Sequence, residues 1–344
     1  MTLGSQYITQ GMTSPARREG GHRMAPPRPF RFGTSLIPLQ GGKELTAFAR
    51  KVEALGFSTL AIGEHLSLGG IGPVASIMAV ATATSSLRVA SGVFANDFRH
   101  PVLLAQEAAT IDLLSDGRLD LGIGGGWLRT DYVAAGIPFD PPAVRIARLE
   151  EAVPLIKRLF GQEPVIFSGD YYRVDGLNLQ PKPTQRPHPP LFIGGGGRRV
   201  LRLAAREANI VGLDPKGTAA GTKDAATMSA GVVEQLIGWV REAAGPRFPE
   251  LELHTNVLAL KVTDNRQQGK EEVAATLASM PPAIVSNTLD DEHILSSPHV
   301  LIGTVDQIVE DLQARRERYG ISYVTVPGEY IDVFSPVVAR LAGT

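Results

Sequence analysis

The run GRLDLGIGGGWLRTDY, residues 117–132, carries an apolar strand, Leu119 to Ile123, that empties into Gly124, Gly125 and Gly126 and then into Trp127 and a helical start. Glycine has no Cβ, so three in succession after a buried strand let backbone come close to a flat or phosphorylated ligand. The chain repeats the device at LFIGGGGRR, residues 191–199. Two glycine-rich strand ends on one face predict a large cofactor gripped by main chain. The alternative for each run taken singly is an ordinary tight turn.

Around this run, short apolar segments alternate with amphipathic ones. Strands are expected near residues 30–36, 58–62, 87–94, 118–123, 191–195, 209–213, 251–262 and 321–327. Between the first two, Leu45, Phe48, Val52 and Leu55 recur at the three- and four-residue spacing of a helix that Gly56 stops. Leu104, Ala108, Ile111 and Leu114 mark another, and Leu149, Val153, Ile156 and Leu159 a third, which Pro154 should kink or break. A hairpin is expected near 165–174. Thr304 and Gln307 form a capping box ahead of Ile308, Leu312 and Tyr319. Eight apolar strands with intervening helices predict a (β/α)8 TIM barrel, a single domain over residues 29–344 with insertions near 160–190 and 264–300. A doubly wound open sheet would carry its glycine fingerprint after the first strand, and residues 33–42 lack that spacing. In a barrel all strand carboxyl ends meet at one mouth, which gathers residues far apart in sequence.

Composition narrows the function classes. Of 344 residues, 34 are basic and 35 acidic, a net charge of −1, so no global field is available to hold nucleic acid or an anionic membrane. No apolar run approaches the roughly 20 residues needed to span a bilayer. The absence of cysteine removes disulfides, thiolate nucleophiles and zinc–sulfur sites, and accords with a cytoplasmic location. The seven histidines, at 22, 65, 100, 188, 254, 293 and 299, show no helical i, i+4 pairing, so no metal site is expected. The G-x-S-x-G elbow of a serine hydrolase does not occur. Residues 1–28 are rich in Gly, Pro, Ser, Thr and Arg without an apolar h-region, and read as a disordered extension and not as a secretory signal.

Four stretches bear a resemblance. GEHL (63–66), LRVASGVF to GGGW (87–127), RIARLEEAV (145–153) and HPPLFIGGGGRRVLRLAARE (188–207) resemble the bacterial luciferase-like monooxygenase superfamily, in particular its coenzyme F420 (deazaflavin)-dependent oxidoreductases. The likeness covers about residues 30 to 215 and, more weakly, 303–327. It implies a (β/α)8 fold with a tricyclic ring in the barrel mouth. It also implies a non-prolyl cis peptide at Gly92–Val93 backing the ring, contacts from Gly124, Gly125, Gly126, Trp127 and Leu213, and a phosphate end at Gly195, Gly196 and Gly197 with charge from Arg198. A helix start offers free N–H groups to such an anion.

His65 matches a histidine that handles the substrate proton in a sugar-phosphate dehydrogenase branch, with Glu64 in place of a preceding aspartate. An imidazole exchanges protons near neutral pH, and a neighbouring carboxylate biases its state. That branch has a catalytic glutamate where this chain has Trp127, so its sugar-phosphate chemistry does not transfer. The expected function is hydride transfer between coenzyme F420 and a small organic substrate. The alternatives are an FMN-dependent monooxygenase and a barrel that binds a ligand without turnover. His65 as a structural residue, and Asn96, Arg99 and His100 as mere supports of the bulge after the third strand, stay open. Arg145 and Arg148 are expected to pair with acidic groups or loop backbone. Family members pair through barrel helices, so a homodimer is expected, with substrate choice set by residues 160–190 and 264–300.

Overall fold

A computed structural model describes Met1, residues 28–39 and residues 41–344. The extension expected over residues 1–28 therefore lies, apart from its two end residues, outside the described residues. Eight strands form the centre: β1 (Arg31–Ser35), β2 (Thr59–Ile62), β3 (Arg88–Ser91), β4 (Leu119–Gly124), β5 (Leu191–Gly195), β6 (Ile210–Leu213), β7 (Glu252–Asn256) and β8 (Ile321–Val326). Each pairs in parallel with its successor, and β8 pairs with β1, so the sheet closes on itself. Every residue of β4 and β8 is buried, as expected of parallel strands covered on both faces. This is the (β/α)8 barrel that the apolar pattern predicts.

The covering helices follow their predicted stripes, with two exceptions. On α1 (Gly42–Ala54), Leu45, Phe48 and Val52 face the core, and Gly56 takes a positive φ of 82° just beyond the helix end. Helix α2 spans Pro73–Ala83. On α3 (Pro101–Leu114), Leu104, Ala108 and Ile111 turn inward, but Leu114 is 58% exposed. The inward places of that last turn go to Asp112 and Ser115, both fully buried. Asp112 accepts hydrogen bonds from the backbone and side-chain amides of Gln185, at 2.9 and 2.6 Å. A polar inward position is invisible to a count of apolar residues. After the short α4 (Arg129–Ala135), α5 (Pro142–Phe160) runs unbroken through Pro154. Leu149, Val153, Leu155, Ile156 and Leu159 around it are all buried, and this packing carries the helix past the missing hydrogen bond. Four more follow: α6 (Arg198–Glu207), α7 (Ala230–Ala244), α8 (Arg266–Ala278) and α9 (Val305–Tyr319), the last opened by the Thr304–Gln307 capping box. Helix α10 (Ile331–Leu341) closes the chain.

The stretch 251–262 is not one strand. Strand β7 ends at Asn256, and Ala259–Val262 leaves the barrel to pair with Val300–Gly303, a strand the periodicity does not disclose. Nothing local interrupts the apolar run. The divergence is made by long-range bonds, Val257 N–H to the Thr325 carbonyl and Leu258 N–H to the His299 carbonyl, both 2.8 Å. Around this second pair of strands lies a small separate core of Met228, Ala259, Val273, Leu289, Ile294 and Val300. The hairpin after α5 pairs Val165–Ser168 with Arg173–Leu177 antiparallel.

At the amino-terminal end of the strands the barrel is plugged by charge. The Arg31 guanidinium pairs with Asp120 and with Glu252 (2.8 Å) and lies 4.3 Å over the Tyr323 ring, while Arg88 meets Asp120 at 2.6 Å. Above it, Phe192, Ile210 and Tyr323 fill the interior, and Val93 packs on them from the mouth side.

Candidate active site at the barrel mouth

Both glycine runs end on the same rim. Leu121 pairs with Leu191 and Gly122 with Phe192, so the turns after β4 and β5 are neighbours. What the missing Cβ atoms make room for is mostly protein. A Cβ on Gly125 would stand 2.8 Å from Ile146, and one on Gly196 2.5 Å from the Asp214 carbonyl and 2.6 Å from Lys216 backbone. Gly126, at φ +68°, lies against the Tyr132 hydroxyl, and Gly195 faces Val200 at 2.6 Å. Gly124 meets the Val93 side chain at 3.0 Å. Only at Gly197, among these, would a Cβ meet nothing closer than 4.0 Å. The buried guanidinium of Arg145 then ties the turn down, donating to the carbonyls of Gly125 (3.0 Å) and Gly126. Arg148 pairs with Asp97 (3.0 Å) and Asp140 (2.8 Å). Both arginines serve the loop, as the sequence suggests.

The Gly92–Val93 peptide is cis. Glu64 ties down the chain just beyond it. The buried Glu64 carboxylate accepts from Ala95 N–H (2.9 Å) and from both terminal nitrogens of Arg99 (2.6 and 3.1 Å). His100 Nδ1 accepts from Val102 N–H at the start of α3, and Asn96 donates to the Tyr172 hydroxyl at 2.9 Å. Of these residues Arg99 is joined to the bulge through Glu64, while His100 caps α3 and Asn96 reaches Tyr172. The reading of Glu64 as the carboxylate that biases His65 is thereby corrected: its oxygens are spent on Arg99 and the backbone.

The carboxylate on His65 belongs to Asp131, in the first turn of α4. Its Oδ2 lies 2.8 Å from His65 Nδ1, while Oδ1 accepts from the N–H of Leu66 (2.9 Å), the N–H of Ser67 (2.7 Å) and the Ser67 hydroxyl (2.7 Å). Burial alone would push this carboxyl up, but the Ser67 and His65 hydrogen bonds outweigh it and hold Asp131 below the usual carboxylate range. One oxygen thus anchors the loop after β2 and the other orients the ring. The imidazole stays 32% exposed. It meets the Trp127 indole edge-on, with centroids 5.7 Å apart. Lys223, from the excursion after β6, places its ammonium 5.3 Å from the centre of the same indole. Gly221 of that excursion packs against Arg129, the first residue of α4.

On the far side of the rim, Asn256 donates to Asp214 Oδ1 at 3.1 Å. Burial raises the Asp214 carboxyl, yet the charge of Lys223 and the Asn256 bond bring it below its ordinary value. Beneath it His254 is buried between Phe192 and Tyr323, with Nε2 on the Thr325 hydroxyl at 2.9 Å and Nδ1 without a partner. Burial, with Arg31 and His299 nearby, pushes it down to about 4, so it is neutral at pH 7.

Two further sequence-derived positions are Leu213 and Arg198. Leu213 is fully buried in the main core, its side chain away from any open face. Arg198 sits at the start of α6, but its guanidinium meets Glu242 at 3.0 Å on the exposed surface, and Arg199 likewise meets Glu150. Asp131 and Lys223, which complete the His65–Trp127 wall, carry no local signal in the sequence. They lie 66 and 158 residues from His65, and no spacing rule links them.

A tricyclic cofactor with a phosphate fits this mouth. Val93 on Phe192 gives an apolar floor, His65 and Trp127 a wall, and α6 begins at Arg198 behind Gly197, with no side chain capping its first N–H groups.

Comparison with known proteins agrees with the architecture. The family model described as luciferase-like monooxygenase matches residues 18–232. An FMNH(2)-dependent dimethylsulfone monooxygenase from Pseudomonas putida is 35% identical over 128 residues, 37% of this chain and 35% of the relative. An F420-dependent glucose-6-phosphate dehydrogenase from Amycolatopsis mediterranei is 32% identical over 173 residues, 48% of this chain and 51% of the relative. The chain therefore spans about a third to a half of the length of these curated relatives. The coenzyme F420-dependent tetrahydromethanopterin reductase of Methanopyrus kandleri superposes with a TM-score of 0.73 at 18% identity, over 91% of this chain and 99% of that one.

Proposed function

The chain belongs to the luciferase-like monooxygenase family, and from that premise we propose that it is an oxidoreductase moving hydride between coenzyme F420 and a small organic substrate. The observation that carries this reading is the wall of the mouth: an imidazole fixed through Nδ1 by a buried carboxylate, beside an indole, over an apolar floor. Coenzyme F420, when bound, supplies or accepts a hydride at its ring. His65 gives or takes the accompanying proton through Nε2, the nitrogen turned away from Asp131. Asp131 is a positioning residue, setting the tautomer and angle of that ring. Trp127 packs against one face of the site and excludes water. The uncapped amides at Gly197 and Arg198 would hold the phosphate end, with Arg198 released from its exposed pair with Glu242. Gly92 and Val93 would back the ring, and the turn at Gly124, Gly125 and Gly126 would shape its edge.

Relatives in the same family use FMN, and a monooxygenase reading shares the floor and the phosphate site. The His65–Asp131 pair favours hydride chemistry, since it supplies a fixed proton carrier beside the ring. Two copies are proposed to pair through the barrel helices. Titration of the purified protein with F420 and with FMN, followed by fluorescence, separates the two cofactors. Micromolar binding of F420 is expected; tight binding of FMN alone would overturn the choice.

A further inference from the structure

Beside the mouth, the two excursions that leave β6 and β7 enclose a cavity of about 210 Å³. Its wall is apolar, built from Met228, Leu258, Leu277, Leu289 and Ile294, with Lys223 among the lining residues. The excursions are fastened to each other: Lys223–Asp224 pairs in parallel with Val285–Ser286, and Lys223 N–H donates to the Ile284 carbonyl at 2.8 Å. Two polar side chains of the lining, Asn287 and Asp291, are engaged elsewhere. Asn287 donates to Asp224 at 2.8 Å, and Asp291 pairs with Lys270. An apolar cavity of about 150 Å³ accepts benzene and excludes water, which finds no partners there. This one is larger, so it takes an apolar body of ring size.

Lys223 joins the cavity to the site. It is one of the residues that line the cavity, and its ammonium lies 5.3 Å from the centre of the Trp127 indole, whose other neighbour is His65. We infer that the cavity is the substrate-selecting pocket of this barrel: it holds the apolar body of an amphipathic ketone or alcohol, while Lys223 at its neck turns the oxygen end toward Trp127 and His65. The inference rests on the mouth being the active site. It also gives the segment 264–300 a task, since Leu277, Leu289 and Ile294 come from it.

The test is binding of two ketones, acetone and cyclohexyl methyl ketone, by calorimetry with and without F420. The larger ketone should bind at least about tenfold more tightly, because its ring is taken out of water. Leu277→Trp, which fills the cavity, should abolish the difference. Leu277→Ala, which enlarges it, should shift the preference to cyclooctyl methyl ketone, and so the test holds even if the filled variant folds poorly. Lys223→Met should weaken both ketones by a similar factor and leave the difference between them. Equal affinity for the two ketones in the native protein, or a difference that neither Leu277 variant alters, would overturn the inference. F420 titration of the same samples keeps the two readings apart. Bound F420 with no ketone preference defeats the pocket alone, and a preference without F420 binding supports the pocket while removing the cofactor assignment.

Discussion

The barrel carries charged groups at both ends, and the two ends use them differently. At the floor, Arg31 and Arg88 pair with Asp120 and Glu252, and Tyr323 covers the Arg31 guanidinium. At the mouth, Asp131 spends one oxygen on backbone and the other on an imidazole whose far side stays open, and Lys223 faces an aromatic ring. Closed pairing fixes structure, because every buried charge already has its partner. Half-open pairing leaves a proton and a face for something else. On this view, substitutions at the floor should cost the most stability and spare ligand binding, and those at the mouth should cost less stability and weaken ligand binding.

The largest effect is expected at the floor. Asp120→Ala removes the carboxylate that Arg31 and Arg88 share, leaving Arg31 with Glu252 and Arg88 with no carboxylate, and should lower stability by about 3–5 kcal/mol, read from urea unfolding. A loss under about 1 kcal/mol would show that the plug is dispensable and dissolve the contrast. His254, between the two ends, should give a somewhat smaller effect that depends on pH. Its value is lowered to about 4 in the folded chain from an ordinary 6.5, so the folded state binds fewer protons than the unfolded one in between. Stability is then full above pH 6.5 and is lost as pH falls from 6.5 through about 4, on the order of 3 kcal/mol. His254→Gln should flatten that part of a plot of Tm against pH. An unchanged slope would place the acid sensitivity elsewhere.

Asp131→Asn comes next. The amide oxygen still accepts from the Leu66 and Ser67 backbone, and its NH2 takes the place of the carboxylate oxygen that faced His65, with an expected loss of about 1–2 kcal/mol in unfolding measurements. Because the native carboxyl is held below its ordinary value, its contribution is present above about pH 4 and disappears as the solution is acidified further. The smallest change is expected for Arg198→Ala, whose exposed pair with Glu242 is worth under about 1 kcal/mol. Its F420 affinity should nevertheless fall several-fold at low salt, which sharpens the distinction between a residue that holds the fold and one that meets the ligand.

Much of the fold can be read in the sequence because it follows from local periodicity. The eight barrel strands, the stripe on α1 and the Thr304–Gln307 cap all answer to neighbours within a few residues. Where position depends on distant hydrogen bonds, the pattern is silent: the split after Asn256 and the burial of Asp112 are examples. The site divides in the same way. His65 and Trp127 lie at strand ends and are visible as such, but their partners Asp131 and Lys223 come from a helix start and an irregular excursion. The glycines were legible as close approaches, though what approaches Gly125, Gly126 and Gly196 is largely the protein's own α4, α5 and post-β6 backbone.

A crystal structure of the protein soaked with coenzyme F420 bears most directly on the claim that the mouth is the working end. The account predicts the tricycle on Val93, within hydrogen-bond reach of His65 Nε2 and against Trp127, with its phosphate at the amides of Gly197 and Arg198. A ring bound outside the mouth, or a mouth that stays empty at saturating F420, would contradict it.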